Sequence, residues 1–383
     1  MQGSKPVECE VLNVIQAAGI WPDCDDKTQL LQAIQILSGG SGVSGIAAAA
    51  GYFSMMGQIS ASGETTLNIP EGSVNIGGNG KGFVIIAQPE FDLSDAANND
   101  GSFTTLALGD DIYIYAVDDG VAGAKLVASK NADIPNGFDA VNSRKIGGFH
   151  YGRVRPITNR YDTDYVPSVQ IVPNSVWDLQ HRPTCDPTGM VEIVPGGFWA
   201  DIYLNSEGSG TWPENVPVSR YGQSLIRNNV YARSDFHLLL RNAGKRLPMV
   251  EEFLTYAEGS PAGQDNNNDC AWAANTNTGS VPSGAVAKAV SMFNVVDAVG
   301  NLWDYIGEHS DWGDTLRKDF TVVDVGIDAS ISRGAMDHAE WRSFAGGGVW
   351  NYGDEAGSRC LHSGSKPWFT NGIVGLRGVC NAL

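Results

Sequence analysis

Residues 347–380 read GGVWNYGDEAGSRCLHSGSKPWFTNGIVGLRGVC, and no regular period runs through them. Apolar side chains recur neither at every second residue, as a half-buried strand requires, nor at helical spacing. Glycines interrupt the stretch every few residues, from Gly347 to Gly378. Such a run predicts a loop-and-strand tail that holds irregular loops on a rigid base, with Tyr352, His362, Phe369 and Asn371 displayed as loop side chains. Displayed side chains need stiff backing, because a chain that orders only on binding loses affinity. Trp303, Trp341, Trp350 and Trp368 supply large apolar surface that suits either such backing or an ordinary core.

Upstream of this tail, periodic elements return. Phe236, Leu239, Leu240 and Ala243 form one stripe of a helix with Ser234 as its cap and Gly244 as its stop. Pro248 suits the first position of a second helix carrying Phe253, Leu254 and Ala257. Residues 198–204 (FWADIYL) predict a strand. Between about residues 39 and 171 the pattern is strands and turns: 83–87, 112–117 closed by Asp118-Asp119-Gly120, and 145–151. Near the start, Asp25 and Asp26 precede Leu30, Leu31, Ile34 and Leu37 at helical spacing. The expected class is therefore α+β in three parts. Residues 1–40 form a helical segment for attachment or trimerisation, 41–171 a β-sandwich-like domain, and 172–383 a mixed domain carrying the tail.

Composition narrows the function. The chain has 383 residues and a formal charge of −18. That excess of acid argues against nucleic acid or an anionic membrane as partner. Charged residues are only 18%, and 47 glycines and 10 tryptophans favour short strands and tight turns over helical bundles. No stretch reaches the length of a membrane span, the nearest being 43–59. The opening MQGSKPVECE lacks a secretory apolar core, so synthesis in a cytoplasm with reduced thiols is expected.

Catalytic and metal motifs are thin. The six histidines (His150, His181, His237, His309, His338, His362) form no HxH or HxxxH pair, so no zinc site is expected. Residues 265–269 (DNNND) start like a calcium loop. Cys270 replaces its glycine, however, and Thr276 stands where the bidentate Glu belongs. The GxGxxG at 40–45 follows a helix, whereas a dinucleotide fingerprint must follow a strand. No GxSxG or P-loop is present. The expectation is a non-enzyme without cofactor.

Four ordered segments carry a family resemblance: SVWDL at 175–179 with Arg182-Pro183; GGFWADIYL at 196–204; GKRLP at 244–248 with Glu252-Phe253 and Tyr256-Ala257; and the tail quoted above. Together with DDIYIYAVDDG at 110–120 and RKIGGFHY at 144–151, they resemble the phage major tropism determinants. These are variable proteins diversified by a retroelement. The resemblance covers most of residues 100–383. The run AAGIWPDCDDKTQLLQAIQIL at 17–37 separately resembles the N-terminal segments of phage tail-fibre proteins. The resemblance implies a C-type lectin fold at the C-terminus without an obligatory calcium. It also implies a homotrimer among other tail-fibre components of a virion, and a host cell-surface receptor, protein or glycan, as target. In that family a reverse transcriptase rewrites adenines of Asn codons inside a fixed frame. The frame falls on Trp350, Asn351, Gly357, Ser358, Arg359, Pro367, Gly375, Arg377, Gly378 and Cys380. Receptor-contacting positions fall on Tyr352, Glu355, His362, Gly364, Ser365, Phe369, Asn371 and Ile373, with Asp354 and Lys366 beside them. Glu355 and Lys366 cannot arise from an AAC codon by adenine exchange, so these two are template-encoded or the register shifts locally.

Two rivals share parts of the pattern. RLP…E…YA, residues 300–305 and the late GGxW…R…GLR also resemble formylglycine-generating enzymes, yet their close copper-binding cysteine pair is missing near Cys360. A bacterial variable surface protein would need a leader or lipobox.

Overall fold

The computed structural model describes residues 48–78, 80–120, 123–263, 279–310, 318–322, 330, 332, 334–338, 342–365 and 370–383; of the first 47 residues it describes 11, 13, 15, 16, 21 and 29. Apart from Gln29, the helix expected at 25–37 lies outside the described residues, as do the glycine-rich run at 40–45, the Asn-rich loop at 265–269, Trp341, Lys366, Pro367, Trp368 and Phe369.

Two units divide the chain: Met1–Ser62 with Thr66–Thr104 and Ile112–Gly147, and Gly63–Thr65 with Thr105–Asp111 and Gly148–Leu383. In the first, strand Gly72–Asn75 lies between Phe53–Met55 and Gly82–Ile85, antiparallel to both. Thr66–Ile69 lies between Ser60–Ala61 and Gln88–Asp92. Its alternation points Leu67 and Ile69 into the core, as a strand with one buried face must. The strand expected over 112–117 runs Asp110–Val117 and pairs antiparallel with Lys125–Ser129. Gly120 at φ +81° begins the return, its N–H donating to Asp118 Oδ1 at 3.0 Å.

The second unit is built around a six-stranded mixed sheet. Its order is Lys318–Val322, Ala335–His338, Leu361–Ser365, Arg342–Gly346, Trp303–Ser310, Val374–Gly375. A three-stranded antiparallel sheet (Met190–Glu192, Phe198–Asp201, Val379–Asn381) brings the chain end back against residues 198–200, with Trp199 opposite Cys380. A hairpin joins Asn205–Ser209 to Val216–Ser219. Alternation along Trp303–Ser310 sends Trp303 and Tyr305 into one core cluster with Phe236, Leu239 and Leu240. Ile306 goes into another with Phe253, Tyr256 and Ala257. The helices Arg233–Asn242 and Val250–Tyr256 therefore pack on opposite sides of that strand.

Both helix starts differ from expectation. Ser234 lies inside the first helix; Asp235 supplies the capping oxygen, its Oδ2 accepting from the Ala232 N–H at 2.8 Å. An acidic third position can thus serve where the cap residue itself has no oxygen. Pro248 precedes the second helix. Its carbonyl accepts from the Gly307 N–H at 2.7 Å, and Glu252 Oε2 accepts from the Met249 N–H at 2.8 Å. Gly244 ends the first helix at φ +70°, as expected.

The loop-and-strand tail and the residues leading into it hold more strand than their lack of period suggests. Arg342–Gly346, Leu361–Ser365, Val374–Gly375 and Val379–Asn381 are strands. Their glycines hid the pattern because the sheet needs them. A Cβ on Gly346 would sit 2.6 Å from the Phe253 ring, and one on Gly347 would sit 2.3 Å from the Ala298 carbonyl oxygen. Close approach replaces alternation as the constraint on those positions.

Candidate functional site

Arg377 anchors the tail. Wholly buried, it donates from Nε to Asp304 Oδ2 at 2.7 Å, from Nη1 to the carbonyls of Asp201 and Ile202 at 2.9 Å each, and from Nη2 to that of Val296 at 2.8 Å. Tyr256 donates to the same Asp304 oxygen at 2.7 Å, and its ring lies 5.7 Å from the guanidinium. Burial raises the Asp304 carboxyl, with Arg377 pulling the other way. One residue on, the Gly378 N–H donates to Asp201 Oδ2 at 2.8 Å, while Lys245 Nζ holds Asp201 Oδ1 at 2.6 Å. A planar five-donor fork reaching a carboxylate and three carbonyls ties two sheets and a loop together in a way a single ammonium charge could not.

Asp297 extends this polar core. Burial pushes its carboxyl up to about 6, against opposing hydrogen bonds from the Gly284 N–H and Asn301. Below the ordinary carboxylate pKa near 4 both states are protonated, and between 4 and 6 only the native state keeps the proton. This contribution to stability is therefore full at low pH and lost as pH rises through 6. Replacing Asp297 by asparagine should remove this dependence. From pH 5 to 7, denaturant melts should show the native protein falling relative to the variant, by on the order of 1–3 kcal/mol.

Above this frame, side chains from three segments converge on Trp303, itself 1% exposed. The Tyr352 ring meets it edge-on at 5.0 Å, and the His362 ring lies tilted at 5.4 Å. Ile373 packs on the same cluster, and its carbonyl accepts from the Trp303 N–H at 3.0 Å. His362 Nε2 meets Ser365 Oγ at 3.2 Å. A Cβ on Gly364 would fall 2.5 Å from His362 Cε1, so the ring occupies the space that the glycine leaves. Asn371 Oδ1 accepts from the Ile373 N–H at 3.2 Å. The loop is pinned from below by the buried Asn228, whose Oδ1 accepts from the N–H groups of Gly372 (2.9 Å) and Val374 (3.1 Å).

The described candidate residues have definite places. Asp354, Glu355 and Asn371 are exposed; Tyr352, His362, Gly364, Ser365 and Ile373 are half-buried. Asp354 and Glu355 project from the short 3-10 turn Gly353–Glu355, held by the Tyr352 carbonyl accepting from the Glu355 N–H at 3.2 Å. Lys366 and Phe369 lie outside the described residues. Among the frame residues, Gly357, Ser358, Gly375, Arg377, Gly378 and Cys380 are buried, Trp350 and Arg359 are half-buried, and Asn351 is exposed. His362 and Ser365 stand on a strand rather than a loop; His362 alternates with the buried Leu361 and Ser363, and Ser365 ends the strand half-buried. Arg359 opens onto a separate cavity of about 460 Å³ that it shares with Leu254, Thr255, Glu258, Met292, Phe293 and Leu361. None of the described display candidates lines it.

Three contributors were not assigned from sequence. Asn228 sits in a polar run (RNN) without any distinguishing signal. Asp304 did carry one, being a lone acid inside the apolar LWDYI run, where a buried partner is required. Trp303 was noted as aromatic mass, but its place beneath the display positions depends on strand order.

Comparison with known proteins agrees with this architecture. The family model described as the Mtd second domain matches residues 58–178. The tail fiber receptor-binding protein of Bordetella phage BPP-1 is 32% identical over 295 residues, spanning 73% of this chain and 72% of that protein. The solved structures of the Major Tropism Determinant U1 and M1 variants superpose with a TM-score of 0.60 each. They are 24% identical over 86% of this chain, with 86% and 85% of their own chains covered, and they show a shared fold. A mostly-β chain with two short helices in its C-terminal unit fits the C-type lectin-like class. The chain belongs to the major tropism determinant family.

Proposed function

We propose that this chain is a tropism-determining receptor-binding protein of a phage tail fibre, acting by binding and not by catalysis. The observation that carries the reading is the convergence of Tyr352, His362 and Ile373 over the buried Trp303, with Asn371 at the rim. Aromatic and apolar tips contribute contact area at low rotamer cost, and polar tips set orientation. In this reading Tyr352, Asp354, Glu355, His362, Gly364, Ser365, Lys366, Phe369, Asn371 and Ile373 contact a host-surface receptor, while retroelement diversification changes them. The fixed frame is Trp350, Asn351, Arg359, Pro367 and Arg377. Residues 172–383 form the C-type lectin domain, 41–171 a β-sandwich-like domain, and 1–40 a helical attachment segment. Three copies in a homotrimer at a virion fibre tip multiply a modest single-site affinity by ~10²-fold or more where geometry allows simultaneous contact.

A pooled library tests this. Randomising Tyr352, His362, Asn371 and Ile373 together should yield folded variants that select for new targets and lose the original host cells. Their melting temperatures should stay within about 10 °C of the parent, because each change costs ~0.5 kcal/mol on a held backbone and the four sum to ~2 kcal/mol. Unchanged binding to host cells across the library, or general loss of folding, rejects the reading.

A further inference from the structure

Beside the display loop stands an aromatic platform outside residues 347–380. Asn228, which pins Gly372 and Val374, leads directly into Asn229, Val230 and Tyr231. The Tyr231 ring lies 5.5 Å from Trp212 at an interplanar angle of 42°, and Trp212 is 46% exposed. On its other side Tyr231 packs 6.5 Å from Phe236, which meets Tyr305 edge-on at 5.7 Å. The platform therefore leans on the same core cluster as Trp303 and Ile373. Its loop is tied down as well: Asn242 Nδ2 donates to the carbonyls of Pro213 (2.8 Å) and Asn215 (3.1 Å). Beside the rings, the exposed Glu207 carboxylate is aimed by two donors, Tyr231 Oη to Oε1 at 2.8 Å and Asn215 Nδ2 to Oε2 at 3.0 Å. Both donors are neutral, and among the described residues no cation pairs with Glu207.

A half-exposed indole next to an oriented, uncompensated carboxylate attracts a planar cation, by ring quadrupole and by charge together. We propose that Trp212, Tyr231 and Glu207 form a second, constant receptor subsite that takes an arginine side chain of a protein receptor, the guanidinium lying on Trp212 and its fork directed at Glu207. Arginine suits it better than lysine, because a guanidinium stacks and donates in a plane. The chain's net charge of −18 favours approach of a cationic partner. This subsite extends the receptor-binding reading by adding a contact that would persist while residues 347–380 vary.

The test uses the full chain labelled with 5-fluorotryptophan, the Trp212 fluorine signal being identified by its loss in Trp212→Phe. Nα-acetyl-arginine amide should shift that signal in a saturable way in the millimolar range. The shift should exceed that given by Nα-acetyl-lysine amide, and Glu207→Gln should weaken it about threefold or more. Neutral probes, Nα-acetyl-norleucine amide and methyl glucoside, should leave the signal in place. A shift with glucoside alone, equal response to the arginine and norleucine probes, or no response to arginine overturns the proposal. Because no receptor is present, these outcomes are independent of whether the tip recognises a host.

Discussion

Replacing Arg377 by leucine should lower the melting temperature by about 10 °C or more, or prevent folding at physiological temperature. The change leaves Asp304 buried without its cation and strips donors from the carbonyls of Asp201, Ile202 and Val296. Removing one partner of a buried ion pair costs ~3–5 kcal/mol, because the remaining charge is neither hydrated nor paired. Each kcal/mol moves the midpoint of a domain of ~150–250 residues by about 2–4 °C. The double change Arg377→Leu with Asp304→Leu should be less destabilising than the two single losses added together, since no charge is then stranded. Strict additivity in thermal or denaturant melts would show that the pair is solvated and does not anchor the tail.

Trp303→Ala should have a comparable cost for a different reason. The side chain is nearly solvent-free, and large-to-small truncation of a core aromatic costs ~3–5 kcal/mol through lost transfer energy and the cavity left behind. Function should fall with it, because Tyr352 and His362 both rest on that ring. The informative variant is Trp303→Phe. It keeps an aromatic floor and most of the stability, yet drops the surface on which the tips stand. Host-cell binding should decrease while the unfolding midpoint moves by only a few degrees. Unchanged binding in a folded Trp303→Phe protein would mean that the tips position themselves.

The contrast between these variants and the tip library is what the proposed receptor-binding reading requires. Frame residues act through buried polar and apolar contacts, whose loss is expensive wherever it occurs. The described tip residues sit half-buried or exposed on backbone held by others, as the Gly372 and Val374 N–H groups are held by Asn228. His362 and Gly364 are the exception among the tips. The ring fills the space above the glycine, so those two positions are coupled and their substitutions should not be additive.

Local signals settled what is local. Phe236, Leu239 and Leu240 announced the first helix by spacing, Gly244 its end, and Asp118-Asp119-Gly120 its turn, because each depends on residues a few positions apart. Ordered motifs along residues 100–383 pointed to the family without any coordinates. The bounds of the strands at 342–346, 361–365, 374–375 and 379–381 were not legible, since glycines set by close approach (Gly346 to Phe253, Gly364 to His362, Gly375 to Leu302) interrupt the alternation that identifies a strand. Helix starts were misplaced for a similar reason: Asp235 and Glu252 reach back to cap from the third position. Only the tertiary structure could assemble Tyr352, His362 and Ile373 over Trp303, and Arg377 against Asp304. Those partners lie up to 73 residues apart along the chain, and the order of strands in the sheet makes them neighbours.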